Sequence, residues 1–133
     1  ETFDVARSSW QLGLQMPTAR EGCAAAVLNG HLYVCGGNDG AQTLSVVERL
    51  VVYASQAHWE LMPPMTARRD GASIAAMKGR LFVCGGFDGE QSLSSNSAER
   101  FEPSSRSWRS VRPMLSRRAG GAAAVVGEKL YAC

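Results

Sequence analysis

The sequence predicts an all-β protein assembled from a repeated four-stranded module. Three observations support this fold class. Trp10, Trp59 and Trp108 are separated by steps of 49 residues, and a fixed interval of roughly 50 residues is typical of repeat architectures. The stretch His31–Gly40 recurs 49 positions later as Arg80–Gly89. Short apolar runs between Gly, Pro and Asn-Gly turn signals indicate strands rather than helices.

Each module contains four predicted strands, named a to d in chain order. In the first complete module they are Cys23–Leu28, His31–Cys35, Val46–Val52 and Trp59–Met62. In the second they are Ala72–Met77, Leu81–Cys84, Ala98–Glu102 and Ser107–Val111. Asn29-Gly30 is a strong signal for a two-residue hairpin between a and b. Pro63 ends the ladder after strand d, because proline cannot donate a backbone hydrogen bond.

Both chain ends carry partial modules. The first residues fit strands c and d at Thr2–Val5 and Trp10–Leu14, and the last fit a and b at Gly121–Val126 and Lys129–Cys133. Because strands a and b are almost continuously apolar, we expect sheets that are covered on both faces. Modules of this kind stack radially as the blades of a β-propeller.

We therefore expect one propeller segment over residues 1–133. It divides into strands c and d at 1–19, complete blades at 20–68 and 69–117, and strands a and b at 118–133. These pieces amount to three blades, whereas closed rings usually contain about four to eight. Either the sequence is part of a longer chain, which we favour, or two chains form a homodimer by strand sharing and close a ring of six. In either case we expect some strand pairing between copies.

Composition narrows the functional classes. The net charge is only +2 and the 14 Lys and Arg residues are scattered, so we predict no nucleic-acid partner. No apolar run approaches the roughly 20 residues of a membrane helix, so we predict no membrane association. The four cysteines are expected to be free and buried, which suits a reducing, cytoplasmic location: Cys23, Cys35, Cys84 and Cys133. Without a Cys-x-x-Cys pair, and with two histidines in different modules, no metal or cofactor is predicted.

Several motifs agree in register with one family. They are Gly-Gly followed by Asp-Gly at Gly36–Gly40 and Gly85–Gly89, Glu-Arg at Glu48-Arg49 and Glu99-Arg100, and Pro-Met at Pro64-Met65 and Pro113-Met114. In these motifs the chain resembles kelch repeats over essentially its whole length. It is most similar to the kelch domains of BTB–kelch proteins, which are substrate adaptors of cullin-RING ubiquitin ligases.

The resemblance implies a non-catalytic protein–protein interaction module that binds a protein or peptide. A cullin would then be reached through a BTB segment outside this chain. The alternative that the family suggests is a cytoskeletal, actin-associated scaffold, and a more remote one is a kelch-fold enzyme such as a copper oxidase.

By the same resemblance, partners dock on the face formed by the d–a and b–c loops. The implied partner-binding positions are Arg20, Arg69 and Arg118, the residues that follow them, Glu21, Asp70 and Ala119, and the b–c residues Asn38 and Phe87. A ring of arginines would suit carboxylates or an acidic peptide through bidentate hydrogen bonds. Alternatively, these arginines cap contacts between blades and donate to carbonyl groups. The acidic residues beside two of the arginines weaken a preference for acidic partners, which leaves Arg118 as the clearest positive position.

The sequence offers little for catalysis. His31 and His58 stand near no nucleophile, and no two carboxylates are clearly opposed. We therefore predict no catalytic residues and no enzyme.

Two further expectations concern packing. The diglycines should let neighbouring backbones approach closely at positive φ. The strand-d tryptophans should cement blade to blade, each with the residue seven positions earlier. In the first blade that residue is Val52, and Leu50 or Tyr53 are the alternatives. The Ser-rich tract Glu90–Ser97 is either a contact loop or a tolerated insertion.

Overall fold

The fold is all-β, as seen in a computed structural model that describes residues 1–53, 56–90 and 95–133. Every regular element in these ranges is a strand, and the predicted fold class is confirmed. The strands are β1 (Thr2–Asp4), β2 (Ser9–Gln11), β3 (Ala24–Leu28), β4 (His31–Cys35), β5 (Val47–Tyr53), β6 (Gln56–Met62), β7 (Ser73–Met77), β8 (Arg80–Cys84), β9 (Ala98–Glu102), β10 (Ser107–Val111), β11 (Ala123–Val126) and β12 (Lys129–Ala132).

The strands form four antiparallel sheets. We call β1–β2 the first half blade, β3–β6 the first blade, β7–β10 the second blade and β11–β12 the second half blade. Within each sheet the spatial order follows the chain order. The a strands of successive units, β3, β7 and β11, contact one another. The a strands therefore lie innermost and the d strands outermost, as in a propeller. The division at residues 20, 69 and 118 stays a prediction, because these positions lie in connecting loops.

The core lies between the first and second blades. The ring of Tyr33 packs against that of Phe101 in the next blade, with centroids 6.0 Å apart, and Phe101 packs on Trp108 at 5.1 Å. All three side chains are buried, as are Val47 and Leu81 beside them. Aromatic pairs at these centroid distances stabilise the interface between two sheets by more than the burial of their apolar area alone.

The tryptophans of the complete blades also donate hydrogen bonds to the preceding unit. Trp108 Nε1 donates to the carbonyl of Pro63 at 2.9 Å, and Trp59 Nε1 donates to that of Leu14 at 3.2 Å. The predicted role between blades is thus confirmed for these two residues. Trp10 differs, because 67% of its surface is exposed.

The residue paired with each strand-d tryptophan differs from the expectation in the first blade. Leu50 lies opposite Trp59, and Val52 lies two positions further along, opposite Ala57. Val52 is exposed. The longer c–d hairpin shifts the spacing by two residues, so Leu50 takes the place that Phe101 has opposite its own tryptophan in the second blade.

All four cysteines are free, but only two are buried. Cys35 and Cys84 end the b strands of the complete blades, where strands a and c flank them on both sides. Burial raises the pKa of both thiols. The expectation of burial is wrong for Cys23, which is half-buried ahead of β3, and for Cys133, which is exposed beyond an edge strand.

Two segments fall outside the described residues. They are residues 54–55 in the c–d hairpin of the first blade and residues 91–94 in the Ser-rich tract. The two interpretations of that tract therefore both stay predictions. Within the described part of the chain, no helix has the length and hydropathy needed to cross a membrane.

Candidate functional site

The backbone of the next d–a loop packs against the diglycine that follows strand b in each complete blade. Gly37 N donates to the Arg69 carbonyl and Gly86 N donates to the Arg118 carbonyl, both at 2.8 Å. Gly36 has a φ of 66°, and a Cβ placed on it would lie 2.2 Å from the Arg69 carbonyl oxygen. Only glycine fits this approach, so the predicted role of the diglycines is confirmed.

A second series of bonds links the d–a loops to one another. Gly71 N donates to the Gly22 carbonyl and Gly120 N donates to the Gly71 carbonyl, each at 2.8 Å. These glycines are 49 residues apart, and each step crosses from one unit to the next. The d–a loops are therefore held side by side at one end of the strands.

The d–a loops are also bonded to the b–c loops of the same blade. Glu21 and Asn38 exchange two backbone hydrogen bonds of 2.9 Å, and Asp70 and Phe87 exchange two of 2.8 Å. The structure thus brings together the residues that the sequence suggested from two separate loops. We call the surface formed by Glu21, Asn38, Asp70, Phe87, Arg118 and Ala119 the loop face.

Polar and aromatic groups are accessible on the loop face. Glu21 and Arg118 are exposed, and Phe87 keeps 39% of its surface exposed. Asn38, Asp70 and Ala119 are half-buried. The Asp70 carboxylate lies over Gly22 of the first blade, since a Cβ on that glycine would meet Oδ1 at 1.9 Å. The Asp70 carboxylate therefore lies against the d–a loop of the first blade, at the glycine that follows Glu21.

The arginine of the second blade does not point to the loop face. Arg69 Nε donates to Glu99 Oε1 at 2.8 Å, and its terminal nitrogens donate to the Gly85 carbonyl at 2.6 Å and to Ser97 Oγ at 2.8 Å. The side chains of Arg69 and Glu99 are 3% and 0% exposed. The second oxygen of Glu99 accepts from the backbone and hydroxyl of Thr66.

Arg20 repeats this arrangement in the first blade. It donates to Glu48 Oε2 at 2.9 Å and to the carbonyls of Gly36 and Val46 at 2.9 and 3.0 Å. Thr18 Oγ1 donates to the other oxygen of Glu48. The structure therefore supports the alternative interpretation for Arg20 and Arg69: both guanidinium groups lie inside the blades and bond carbonyls, and they form no exposed ring. The guanidinium groups point inward because each blade contains a buried glutamate carboxylate that needs a cation beside it.

Two kinds of residue at this site were not predicted from the sequence. Glu48 and Glu99 were noted as motif residues but not as partners of the arginines, although they recur with them in each complete blade. Asp39 is exposed next to Asn38, and backbone N–H groups of Ala41 and Gln42 lower the pKa of its carboxyl. Within the residues described, no three His, Cys, Asp or Glu side chains form a group that could hold a metal.

Comparison with known families identifies the repeat. The Kelch motif matches residues 19–66 and 68–115, which is well over half of the chain. The chain belongs to the kelch-repeat family. Kelch repeats generally mediate protein binding. A search of the curated proteins found no match, so the finer similarity to BTB–kelch adaptors stays a prediction.

Solved kelch-type propellers share the fold. The structure of YjhT superposes with a TM-score of 0.78 at 23% identity, covering 90% of this chain and 35% of that one. A fungal alcohol oxidase in complex with copper gives a TM-score of 0.67 at 18% identity, covering 78% of this chain and 24% of that one. This kelch chain spans about a third and a quarter of their lengths. At these identities the likeness shows the fold alone.

The oxidase corrects one expectation. The prediction that the chain is not an enzyme is contradicted, because the solved structures that share its fold include an alcohol oxidase. A kelch fold does not separate binding proteins from enzymes, since function depends on the groups placed on the fold.

Proposed function

We propose that this chain is the recognition part of a kelch propeller and binds a protein or peptide through the loop face. One observation carries the proposal. Reciprocal backbone hydrogen bonds join Glu21 to Asn38 and Asp70 to Phe87. These bonds hold residues of different loops in fixed positions relative to one another. A binding surface that is ordered before the partner arrives loses less entropy on association.

The exposed chemistry favours a basic segment with an apolar residue. The carboxylates of Glu21 and Asp70 lie on adjacent loops, while the guanidinium groups of Arg20 and Arg69 are paired inside the blades. Phe87 offers an exposed ring beside Asp70. A lysine or arginine of the partner would gain both ion pairing and contact with the ring face. This replaces the acidic partner that an exposed arginine ring would have suited.

We further propose that the partner is a substrate of a cullin-RING ubiquitin ligase, with the cullin bound through a BTB segment outside this chain. The similarity of the Gly-Gly, Glu-Arg and Pro-Met motifs to those of BTB–kelch proteins supports this use. The four free cysteines support a cytoplasmic location.

Selection from a random peptide library against the purified chain tests the binding surface. We expect the selected peptides to contain Lys or Arg near an apolar residue. Glu21→Lys and Asp70→Lys should each weaken their binding about fivefold, a typical effect of a rim charge. Phe87→Ala should weaken it about tenfold or more, as for an aromatic anchor.

Glu128→Lys is the matched control. Glu128 is exposed in the turn between β11 and β12, at the opposite end of the strands, so this change should leave binding unaltered. Peptides that bind the three loop-face variants as well as the unmodified chain would contradict the proposed site. Co-sedimentation of the chain with filamentous actin, lost in the loop-face variants, would instead support the scaffold function and contradict the adaptor proposal.

A further inference from the structure

The outer edge of the first blade is an unpaired strand. β6 is the last strand of a complete four-stranded sheet and pairs with β5 on one side only. The phase of the ladder follows from Gly36 N, which donates to the Val46 carbonyl at 3.0 Å. Because hydrogen-bonded pairs alternate along an antiparallel ladder, the N–H and C=O groups of Ala57, Trp59 and Leu61 point away from β5. These backbone groups have no hydrogen-bond partner among the described residues.

The edge of β6 lacks the usual barriers to pairing with another chain. Edge strands commonly carry charges or prolines that prevent such pairing. In the second blade Arg109 is exposed at the centre of β10 and Arg112 is exposed just beyond its end. β6 has seven residues against five in β10, and it contains no proline, lysine or arginine. Leu61 is 72% exposed, and its counterpart Ser110 is exposed beside a complete preceding blade, so exposure here belongs to the outer strand itself.

The sequence of β6 is complementary to itself in the antiparallel direction. A two-fold axis at Trp59 places Ala57 opposite Leu61 of a second copy. It also places His58 opposite Glu60, in a pair without backbone hydrogen bonds, where side chains approach most closely. Their side chains are 55% and 34% exposed. Apolar residues therefore meet on one face of the paired strands, and an imidazole meets a carboxylate on the other.

The Glu60 carboxylate can accept a further hydrogen bond. Arg49 donates to its Oε2, and His58 Nε2 of the same strand lies 3.1 Å from its Oε1. Each carboxylate oxygen has two lone pairs, so an imidazole of a second copy can also donate. The same two-fold operation on β10 would place Arg109 opposite Arg109 of the second copy, and like charges directly opposite are destabilising. Self-pairing thus suits β6 and not β10.

We propose that two copies of this chain associate through β6. The two β6 edges pair antiparallel about an axis at Trp59 and join the four-stranded first blades of both copies into one continuous sheet. A second copy is the occupant that the observations favour, because both members of every cross-strand pair belong to the same strand and an isologous contact satisfies them all. The pairing uses a complete blade and neither half blade, and it does not depend on the proposed partner of the loop face.

Cross-linking tests the register. The accessible Cys23 and Cys133 are first replaced by serine. Residues that form a hydrogen-bonded pair have Cα atoms about 5.5 Å apart, which a disulfide can bridge. Ala57→Cys combined with Leu61→Cys should therefore give a covalent dimer on mild oxidation. Neither single cysteine should do so, because each lies four residues along the strand from its own copy, a distance of about 13 Å.

The mass in solution tests the association itself. An interface of one strand pair is small, so we expect a dissociation constant on the order of 10 μM. Well above that concentration the unmodified chain should sediment at twice its monomer mass of 14.2 kDa. Leu61→Pro removes an outward N–H and leaves the ladder to β5 intact, so it should weaken the dimer on the order of 10-fold or more. Ser110→Pro is the matched control and should leave the dimer unchanged, because the Ser110 N–H points outward from β10 in the same way.

Substitutions of His58 test the pair with Glu60. His58→Glu places a carboxylate opposite Glu60 of the other copy and should weaken the dimer about fivefold, whereas His58→Lys places a permanent cation there and should strengthen it. An unmodified chain that stays monomeric at about 100 μM would overturn the proposal. Equal cross-linking by the single cysteines, or equal weakening by the two proline variants, would overturn it as well. Every changed residue lies outside the loop face, so failure here and failure of the proposed function are distinguishable.

Discussion

Replacing Arg69 by leucine tests the position of the blade arginines inside the sheets. The guanidinium group donates to a carboxylate oxygen of Glu99, to the Gly85 carbonyl and to Ser97 Oγ. Leucine fills part of the volume but provides no donor. The Glu99 carboxylate, which is fully buried, would then have no cation beside it.

The size of the effect follows from these contacts. Removing one partner of a buried ion pair costs roughly 3–5 kcal/mol. Glu99 keeps two hydrogen bonds from Thr66, at 2.7 and 2.8 Å, so we expect a loss near the lower limit, about 3 kcal/mol. That is a large share of the roughly 5–15 kcal/mol that holds a typical domain folded. In the double variant with Glu99→Leu the carboxylate is gone as well, so its loss should be smaller than the sum of the single losses.

Urea unfolding followed by tryptophan fluorescence measures this loss at one fixed protein concentration. With a slope of about 2 kcal/mol per molar urea, the midpoint should fall by about 1.5 M. Arg68→Leu, an exposed neighbour, should change the stability by less than about 0.5 kcal/mol. A loss below about 1 kcal/mol for Arg69→Leu, or strict additivity in the double variant, would refute the inward orientation of the arginine.

Two other perturbations follow from the packing. Gly37→Ala should lower the unfolding free energy by about 3 kcal/mol or more, because Gly37 has a φ of 94° and the added Cβ would meet the Glu21 carbonyl oxygen at 2.4 Å. Gly30→Ala is the control. Gly30 has a φ of 77° but open space around it, so this change should cost only about 1–2 kcal/mol. Burial raises the pKa of the Cys35 thiol above its ordinary 9.0, so the unfolded chain loses its thiol proton first and stability should fall as the pH rises past about 9. Chemical unfolding at successive pH values should show that Cys35→Ala removes up to about 1.4 kcal/mol per pH unit of this loss, and an unchanged slope would count against burial as its cause.

Much of the fold could be predicted because the determining signals are local and repeated. The strands His31–Cys35, Ala98–Glu102 and Ser107–Val111 have the predicted bounds. The 49-residue step predicted which loops lie together, and the Gly71 and Gly120 bonds show that the d–a loops do. A strand pattern and its turns depend on neighbours in the chain, so they can be read from one module at a time.

The direction of the arginine side chains could not be predicted in the same way. Arg20 and Arg69 sit in loops whose position was anticipated, but their orientation depends on Glu48 and Glu99, about 30 residues later in the chain. An exposed arginine and an arginine that satisfies a buried carboxylate have the same local sequence. The prediction that Cys133 is buried was wrong for a related reason, because its burial depends on whether another strand flanks β12.

Residue-resolved amide hydrogen exchange by NMR tests the central claim, that adjacent sheets are bonded through their loops around a common axis. The amides of Gly37, Gly71, Gly86 and Gly120 lie outside the strands, yet each donates to a loop carbonyl of a neighbouring unit at 2.8 Å. We expect these four amides to exchange as slowly as those of the central strands. Exchange of these glycines at the rate of an unfolded chain, while the strands remain protected, would show separate sheets and contradict the propeller arrangement.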